Sequence, residues 1–489
     1  MPIFFEKEQH VLIQLVSDDD WQSFFNSCDG YINPNAFRLI REYLEGAAET
    51  VILEKSYVDA DYRDTYYNFF SRKFAEYPSK TIRANFFACK ISPQMLFKLD
   101  RYQEQYIGFS VLRPNRVAPI GRTILDPNKL PFVSGHVCMA EYPVHILGSE
   151  LTAKGFPYMS QDTDVTVCAH AACWMIFRYF SQRYRRYAEK WPYEVTQLTK
   201  DISTGRLVPS KGLTAYQVTE MFSNFGFSPE IYIREHHGGL FEKLLYIYIE
   251  SGLPVVAALS NHSHAITIIG HVSDFAKQSI PTPASSDIYL KGLIANDDNF
   301  MPYHAIRKNH PVSAGYWSRF NVDEIDTFIV PLYEKIHLSA EHVVELSRAI
   351  LINDILGINS QSQLLKYEDL VTRTFLTSSK SFKKMRRMQP LPFGISNVYC
   401  EMAMPKFIWV CEFSPPELFK EGKIAGEILF DATANQHDIL AFLAIHYPDF
   451  LLLNNRDFLT DDPKRFSTHR VDTNEIIAYQ CYMNNLCEV

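Results

Sequence analysis

The middle of the chain changes texture once, near residue 253, and that change constrains the fold more than any other feature. Before it the pattern is helical. The spacing predicts helices from Cys168 to Tyr184, over LTAYQVTEMFSNFG closed by Gly226, and over GLFEKLLYIYIESG closed by Gly252. After it come PVVAALS, HAITIIGHV and DIYLKGLIAND, short runs rich in β-branched residues with turn residues between them. These predict consecutive strands of a mostly antiparallel sheet, and FIVPLYEKIHL predicts one more. Helices first and a sheet second is the α+β pattern.

At 489 residues the chain is too long for one ordinary core, so two or three domains are expected. We divide it into an N-terminal accessory α+β region over 1–135, a middle region over 136–335 and a C-terminal accessory α+β region over 336–489. In the first, WQSFFNSC and FRLIREYLEGAA read as amphipathic helices. QYIGFSVLRP reads as a strand stopped by Pro114, and RVAPIGRTIL as a turn into another strand. In the last, AEHVVELSRAILI reads as a helix, KFIWVCEF and KIAGEILFDAT as a strand pair, and HDILAFLAIHY as a helix. EILFDATANQHD, with Asp431, Asn435 and His437, reads as a polar loop capping that final helix near Asp438.

Charge and cysteine content exclude several partners. A net charge of −8 argues against nucleic acid, which usually leaves a basic footprint. The one local basic patch that stands out is Lys383–Lys384 with Arg386–Arg387. No apolar run reaches the length of a membrane span, and MPIFFEKEQH becomes charged too soon for a secretory signal. A cytoplasmic location is expected. Nine cysteines are scattered from Cys28 to Cys487 without a CxxC, which reads as free thiols rather than a zinc site.

The chemistry concentrates in QDTDVTVCAHAACWMIFRYF, Gln161 to Phe180. Cys168 falls in the first turn of the expected helix, where unpaired backbone N–H groups and the positive end of the dipole favour a thiolate. Ala169, Ala171 and Ala172 allow close approach, and Trp174, Met175, Ile176 and Phe177 drive the helix into the core. Cys173 lies roughly 140° around the axis and about 7.5 Å along it, so it reads as a core thiol.

A thiol nucleophile needs a base. His264, at the head of HAITIIGH, is chosen over His262, while His170 leaves the helix in another direction. Two histidines on one strand lack a third metal ligand. The base needs an orienting acceptor, and the strand KGLIAND ends in Asn296, Asp297 and Asp298. Asp297 is preferred, with Asn296 second. Gln161, just before the nucleophile helix, is placed to donate to an oxyanion together with the Cys168 backbone N–H.

This order resembles the papain-like cysteine peptidases, in particular the C39-like branch that includes bacteriocin-processing peptidase domains. Gln161 leading to CAHAAC, SHAITIIGH, and ANDD carry the resemblance, which covers roughly residues 150–335. The flanking regions match no family we can name. Cys168 stands seven positions after Gln161 where the family usually has six, and Ala169 stands where it often has Gly. The His264–Asp297 interval is long, with an insertion around KQSIPTPASSD expected to border the cleft.

The resemblance implies a papain-like core with a nucleophile helix packed on an antiparallel sheet. It implies Cys168 as nucleophile, His264 as general base and acid, Asp297 as orienter, and Gln161 in the oxyanion hole. Its chemistry is cleavage of an amide bond in a protein or peptide through a thioester, with no metal or organic cofactor. The flanking regions are then the place for substrate selection or a regulatory partner. The same triad also runs amidase, acyltransferase or transglutaminase chemistry, and a papain-like scaffold that has lost catalysis would serve as a binding module.

Overall fold

The computed structural model describes residues 9–273, 281–308, 317–353, 362, 364–389, 391, 394–455, 466–470 and 475–489. It is a mixed α+β protein built around three large sheets. The first is a five-stranded antiparallel sheet in chain order: His10–Gln14, Thr50–Tyr57, Thr81–Phe87, Tyr106–Leu112 and Ile120–Leu125. The helices expected over WQSFFNSC and FRLIREYLEGAA form as Asp18–Ser27 and Pro34–Leu44, each opened by a capping side chain, Ser17 and Asn33.

The central sheet holds the strands expected after the change of texture. Its order is Trp317–Asn321, His304–Arg307, Leu290–Asn296, His264–Ser273, Val255–Leu259, Thr327–Tyr333 and Phe227–Ile233. All neighbours are antiparallel except His304–Arg307 with Trp317–Asn321. The strand Phe227–Ile233 was not anticipated. Only the pairing offered by Thr327–Tyr333 makes FSPEIYI extended, since its own pattern is half-exposed and interrupted by Pro229.

The predicted helices form as Cys168–Arg183, Ala215–Phe225 and Phe241–Glu250. Gly226 closes the second in a left-handed conformation, as its sequence position suggests. Cys168–Arg183 is buried from Ala169 to Phe180 and lies on the sheet, where Thr267 Oγ1 donates to the Ala172 carbonyl at 3.3 Å.

The C-terminal sheet runs Ala284–Ser285, Val371–Ser378, Phe407–Ser414, Gly426–Asp431, Phe442–Tyr447, Phe450–Asn454 and Phe466–Arg470. Here HDILAFLAIHY departs from expectation. Asp438 Oδ1 accepts the Leu440 N–H in a tight turn, and Phe442–Tyr447 is a strand buried on both faces. A short all-apolar run has no period to separate helix from strand; ladder partners on both sides decide it. The polar loop before it therefore joins two strands. Of the basic run Lys383–Lys384 with Arg386–Arg387, Arg386 is fully buried between Glu412 and Glu427, while Lys384 and Arg387 stay exposed.

One apolar core runs through all three sheets, from Trp21 through Trp174 to Trp409. The strand His136–Val137 pairs with both His264–Ser273 and Cys487–Glu488, so the segment that follows the N-terminal sheet and the last strand of the chain join the central sheet side by side. The insertion around KQSIPTPASSD goes the other way. Residues 277–280 lie outside the described ones, and Ala284–Ser285 is a parallel edge of the C-terminal sheet against Val371, so that part does not border the cleft.

Gly270 allows the His136–Val137 crossing. A Cβ there would overlap the His136 carbonyl and crowd Val137. Gly270→Ala is therefore expected to lower stability by about 1–3 kcal/mol, the usual range for overpacking against a backbone that cannot yield. A urea titration followed by far-UV circular dichroism checks it, and a midpoint equal to wild type would refute it.

Candidate active site

Cys168 is the first residue of its helix. Val167 precedes it in extended conformation, and the first intrahelical bond runs from the Ala171 N–H to the Val167 carbonyl at 3.0 Å. The N–H groups of the opening turn are thus left without helical partners beside the thiol. The thiol is partly accessible, whereas Cys28, Cys138, Cys173, Cys411 and Cys481 are buried. Cys168 and His264 line one cleft of about 490 Å3, and the thiol is among the groups that raise the imidazole pKa.

His264 begins its strand directly after a tight turn, Ser260–His262, and a left-handed Ser263 with φ of 49°. That turn sends the two histidines apart. His262 faces outward and pairs with Glu324 at 2.7 Å. The His264 ring is partly buried, with Nε2 at 2.9 Å from Asp297 Oδ1 and 3.8 Å from Asp298 Oδ1. Since Nε2–H is committed to Asp297, Nδ1 is the nitrogen left for the thiol.

Asn296 takes no part in orienting the ring. Its side chain is spent on the Pro157 carbonyl at 3.3 Å and the Tyr303 N–H at 2.9 Å, which fixes the strand end. Asp297 is held by a residue that the sequence reading missed: Asn299 donates to Asp297 Oδ1 from its backbone at 3.1 Å and its side chain at 3.2 Å. A signal existed, since Asp-x-Asn after a strand is a turn in which a carboxylate accepts from the N–H two residues on.

The charges of this group reinforce one another. Burial disfavours a charged His264, but the Asp297 hydrogen bond, the Cys168 contact and the negative charges of Asp297 and Asp298 outweigh it and raise the imidazole to about 10. Burial likewise opposes ionisation of Asp297, yet His264 and Asn299 hold it below the usual carboxylate range. Asp298 is pushed up to about 7 by burial and by the neighbouring Asp297 charge. His264, Asp297 and Asp298 also present ligand atoms within 4.8 Å of one another, a spacing a divalent cation would accept by breaking the His264–Asp297 bond.

Gln161 is half-buried, and its backbone N–H lies against the Asp298 carboxylate. The loop from there to Cys168 is wound around Asp162, whose Oδ1 accepts the N–H groups of Asp164, Val165 and Thr166 at 3.1, 2.7 and 2.8 Å. Thr163 adopts a left-handed conformation with φ of 64°. This turn takes up the seven-position interval. The N-terminal region braces it: Arg113 donates to the Ser160 carbonyl at 2.9 Å, and Asn115 to the Asp162 carbonyl at 3.3 Å.

Thus Cys168, His264 and Asp297 come together as expected, and Gln161 stands beside the same carboxylate pair. Comparison with family models, with curated proteins and with solved structures returns no match.

The arrangement makes one thiol unlike the others. Burial raises the pKa of Cys28, Cys138, Cys173, Cys411 and Cys481, so these stay protonated and shielded. Iodoacetamide at about pH 5 to 6 is expected to alkylate Cys168 selectively, and His264→Ala to remove the selectivity. Residue-by-residue mass spectrometry checks it; labelling of Cys168 no faster than the exposed Cys400 and Cys487 would count against a thiolate–imidazolium pair.

Proposed function

We propose that the chain is a papain-like cysteine peptidase of C39-like type, cleaving an amide bond in a protein or peptide substrate. The observation that carries this reading is the convergence, at one cleft, of a helix-tip thiol, an imidazole lining the same cleft and a buried carboxylate at 2.9 Å from that imidazole. A helix tip, a central strand and the end of its neighbour supply the three groups, each from a rigid element.

In this mechanism the Cys168 proton resides on His264 Nδ1, and the thiolate attacks the scissile carbonyl carbon. The carbonyl electrons move to oxygen, where the Cys168 backbone N–H and the Gln161 amide are the proposed donors. Collapse breaks the C–N bond, and His264 gives its proton to the leaving amine. His264 then takes a proton from water as the hydroxyl attacks the thioester; the acid leaves and the thiol–imidazole pair is restored. Asp297 keeps the ring oriented and stabilises its positive charge.

A pool of synthetic peptides of mixed sequence, followed by mass spectrometry for new termini, tests the activity. Cleavage that vanishes in Cys168→Ala supports the peptidase; no cleavage by protein whose Cys168 alkylates selectively would sink it in favour of a transferase or a narrower amidase.

The pH profile gives a second test. His264 is raised above its ordinary value, so the imidazolium persists until the pH rises through about 10. The alkaline limb of kcat/KM is therefore expected near pH 10. In Asp297→Asn the hydrogen bond and the charge that support the imidazolium are weakened, and the limb moves to lower pH. The same sign applies to stability: the contribution from charged His264 is complete below about pH 6.5 and is lost as pH rises through about 10. A limb that stays in place in Asp297→Asn would remove Asp297 from the orienting role.

A further inference from the structure

The cleft does not end at the catalytic wall. Lys211, Gly212, Leu213 and Gln217 line it on one side and also line a second lobe of about 690 Å3. The two lobes flank the tip of the nucleophile helix. Cys168 lines the first and His170 the second. Two residues along a helix is a rotation of roughly 200° and a rise of about 3 Å, so the two side chains leave the same turn on opposite sides.

The lobes differ in chemistry. Around the first, beyond the catalytic pair, Val218, Val256, Ala258 and Ile329 supply apolar surface beside the hydroxyls of Thr214 and Ser260. The second is polar. Thr199, Ser203 and Ser210 bring hydroxyls to it, and Arg206 and Lys211 bring positive charge. Both cations are exposed, and neither forms an ion pair with a described residue.

His170 sits behind this polar surface and is only 1% exposed. Its Nδ1 accepts the Val167 N–H at 3.3 Å, which assigns the proton of the neutral ring to Nε2. Burial lowers the imidazole to about 4, so the ring stays neutral at ordinary pH. Nε2–H is shielded from water and has no partner. An unpaired buried donor opposes folding, and its retention calls for an acceptor. The positive end of the 16-residue helix adds to the field that such an acceptor would feel.

We propose that the second lobe is a subsite for an acidic side chain of the peptide substrate, with His170 Nε2–H donating to the carboxylate and Arg206 and Lys211 supplying its charge complement. It rests on the peptidase reading of the adjoining lobe, which it deepens by naming a substrate class: peptides with Asp or Glu on one side of the scissile bond and an apolar residue in the first lobe.

The test uses the full chain and two readouts on one peptide pool with balanced Asp/Glu, Asn/Gln and Lys/Arg content. Cleavage by the native protein is read as residue enrichment at each position around the new termini. Capture by immobilised Cys168→Ala is read as enrichment among bound peptides, which needs no turnover. Asp and Glu are expected to be enriched about tenfold at one fixed position, the size of one charge-assisted hydrogen bond. Arg206→Glu with Lys211→Glu should reverse the preference towards Lys and Arg. His170→Phe should reduce it, with the loss carried mainly by KM, and His170→Gln, which keeps a donor, should restore part of it. Selective Cys168 alkylation in these variants reports that the helix tip has survived. Cleavage without acidic preference would overturn the subsite and leave the peptidase standing. Acid-enriched capture without cleavage of any peptide would leave the subsite standing and overturn the peptidase. Neither cleavage nor enriched capture would overturn both.

Discussion

Cys168→Ala is expected to reduce peptide hydrolysis by roughly 10^4-fold or more, to the level of the uncatalysed background, while leaving the fold intact. In the proposed mechanism the sulfur is the atom that forms the bond to substrate, so its loss removes the thioester route altogether. Ser260, Ser263, Thr214 and Thr327 also line the cleft, but none is offered a base, because the His264 ring is oriented by Asp297 towards Cys168. Cys168 is partly accessible and followed by three alanines within four residues, so a methyl group at this position disturbs no packing. His264→Ala should lose about 10^2 to 10^4-fold, the usual contribution of general acid–base catalysis. Rates on the most rapidly cut member of the peptide pool measure both. Retention of more than a tenth of wild-type rate in Cys168→Ala would exclude the thioester mechanism.

The second large effect lies far from the cleft. Arg386 is completely buried, with Nη2 at 2.6 Å from Glu412 and 2.7 Å from Glu427, Nε at 3.1 Å from Glu427, and Nη1 at 2.8 Å from the Gln480 carbonyl. Glu412 also accepts Arg373 at 2.7 Å, and Arg373 in turn meets Glu250, which pairs with His271 on the His264–Ser273 strand at 2.5 Å. This chain of charges ties the C-terminal sheet to the central one. Arg386→Met leaves two buried carboxylates short of a cation, and breaking a buried pair from one side is destabilising by roughly 3–5 kcal/mol. Burial already raises the pKa of Glu427 against the pull of Arg386, so removal of the guanidinium is expected to leave it neutral. Arg386→Met combined with Glu427→Leu should recover part of the loss, because removing both partners leaves fewer unpaired buried charges. Urea denaturation of both variants checks this. Equal midpoints for Arg386→Met and wild type would mean that the network contributes nothing.

Much of the candidate site could be read along the chain because its parts announce themselves locally. A cysteine ahead of an apolar helical run, a histidine opening a β-branched run and a carboxylate closing the next are each set by neighbours a few residues away. The left-handed Ser263 and the Asp162 turn were less legible, since a single residue of unusual φ leaves no periodic trace. Asn299 escapes a sequence reading because its main hold is on Asp297, with a longer approach of 3.4 Å to His264 Nε2. HDILAFLAIHY reads as a helix because a buried run has no period, and Arg386 as surface charge because its partners lie 26 and 41 residues away.

By itself the sequence determined the α+β class, the helix that begins at Cys168, the adjacency of the strands after residue 253 and the residues able to carry thiol chemistry. These follow from propensity, period and turn chemistry, which act over a few residues. The tertiary structure alone decided which imidazole faces the thiol, which carboxylate meets it, and where the insertion after the His264 strand is sewn. It alone decided that His170 lies behind a polar lobe across the helix tip. Those outcomes depend on pairing between distant segments and on which groups are excluded from water together, and neither leaves a local mark on the chain.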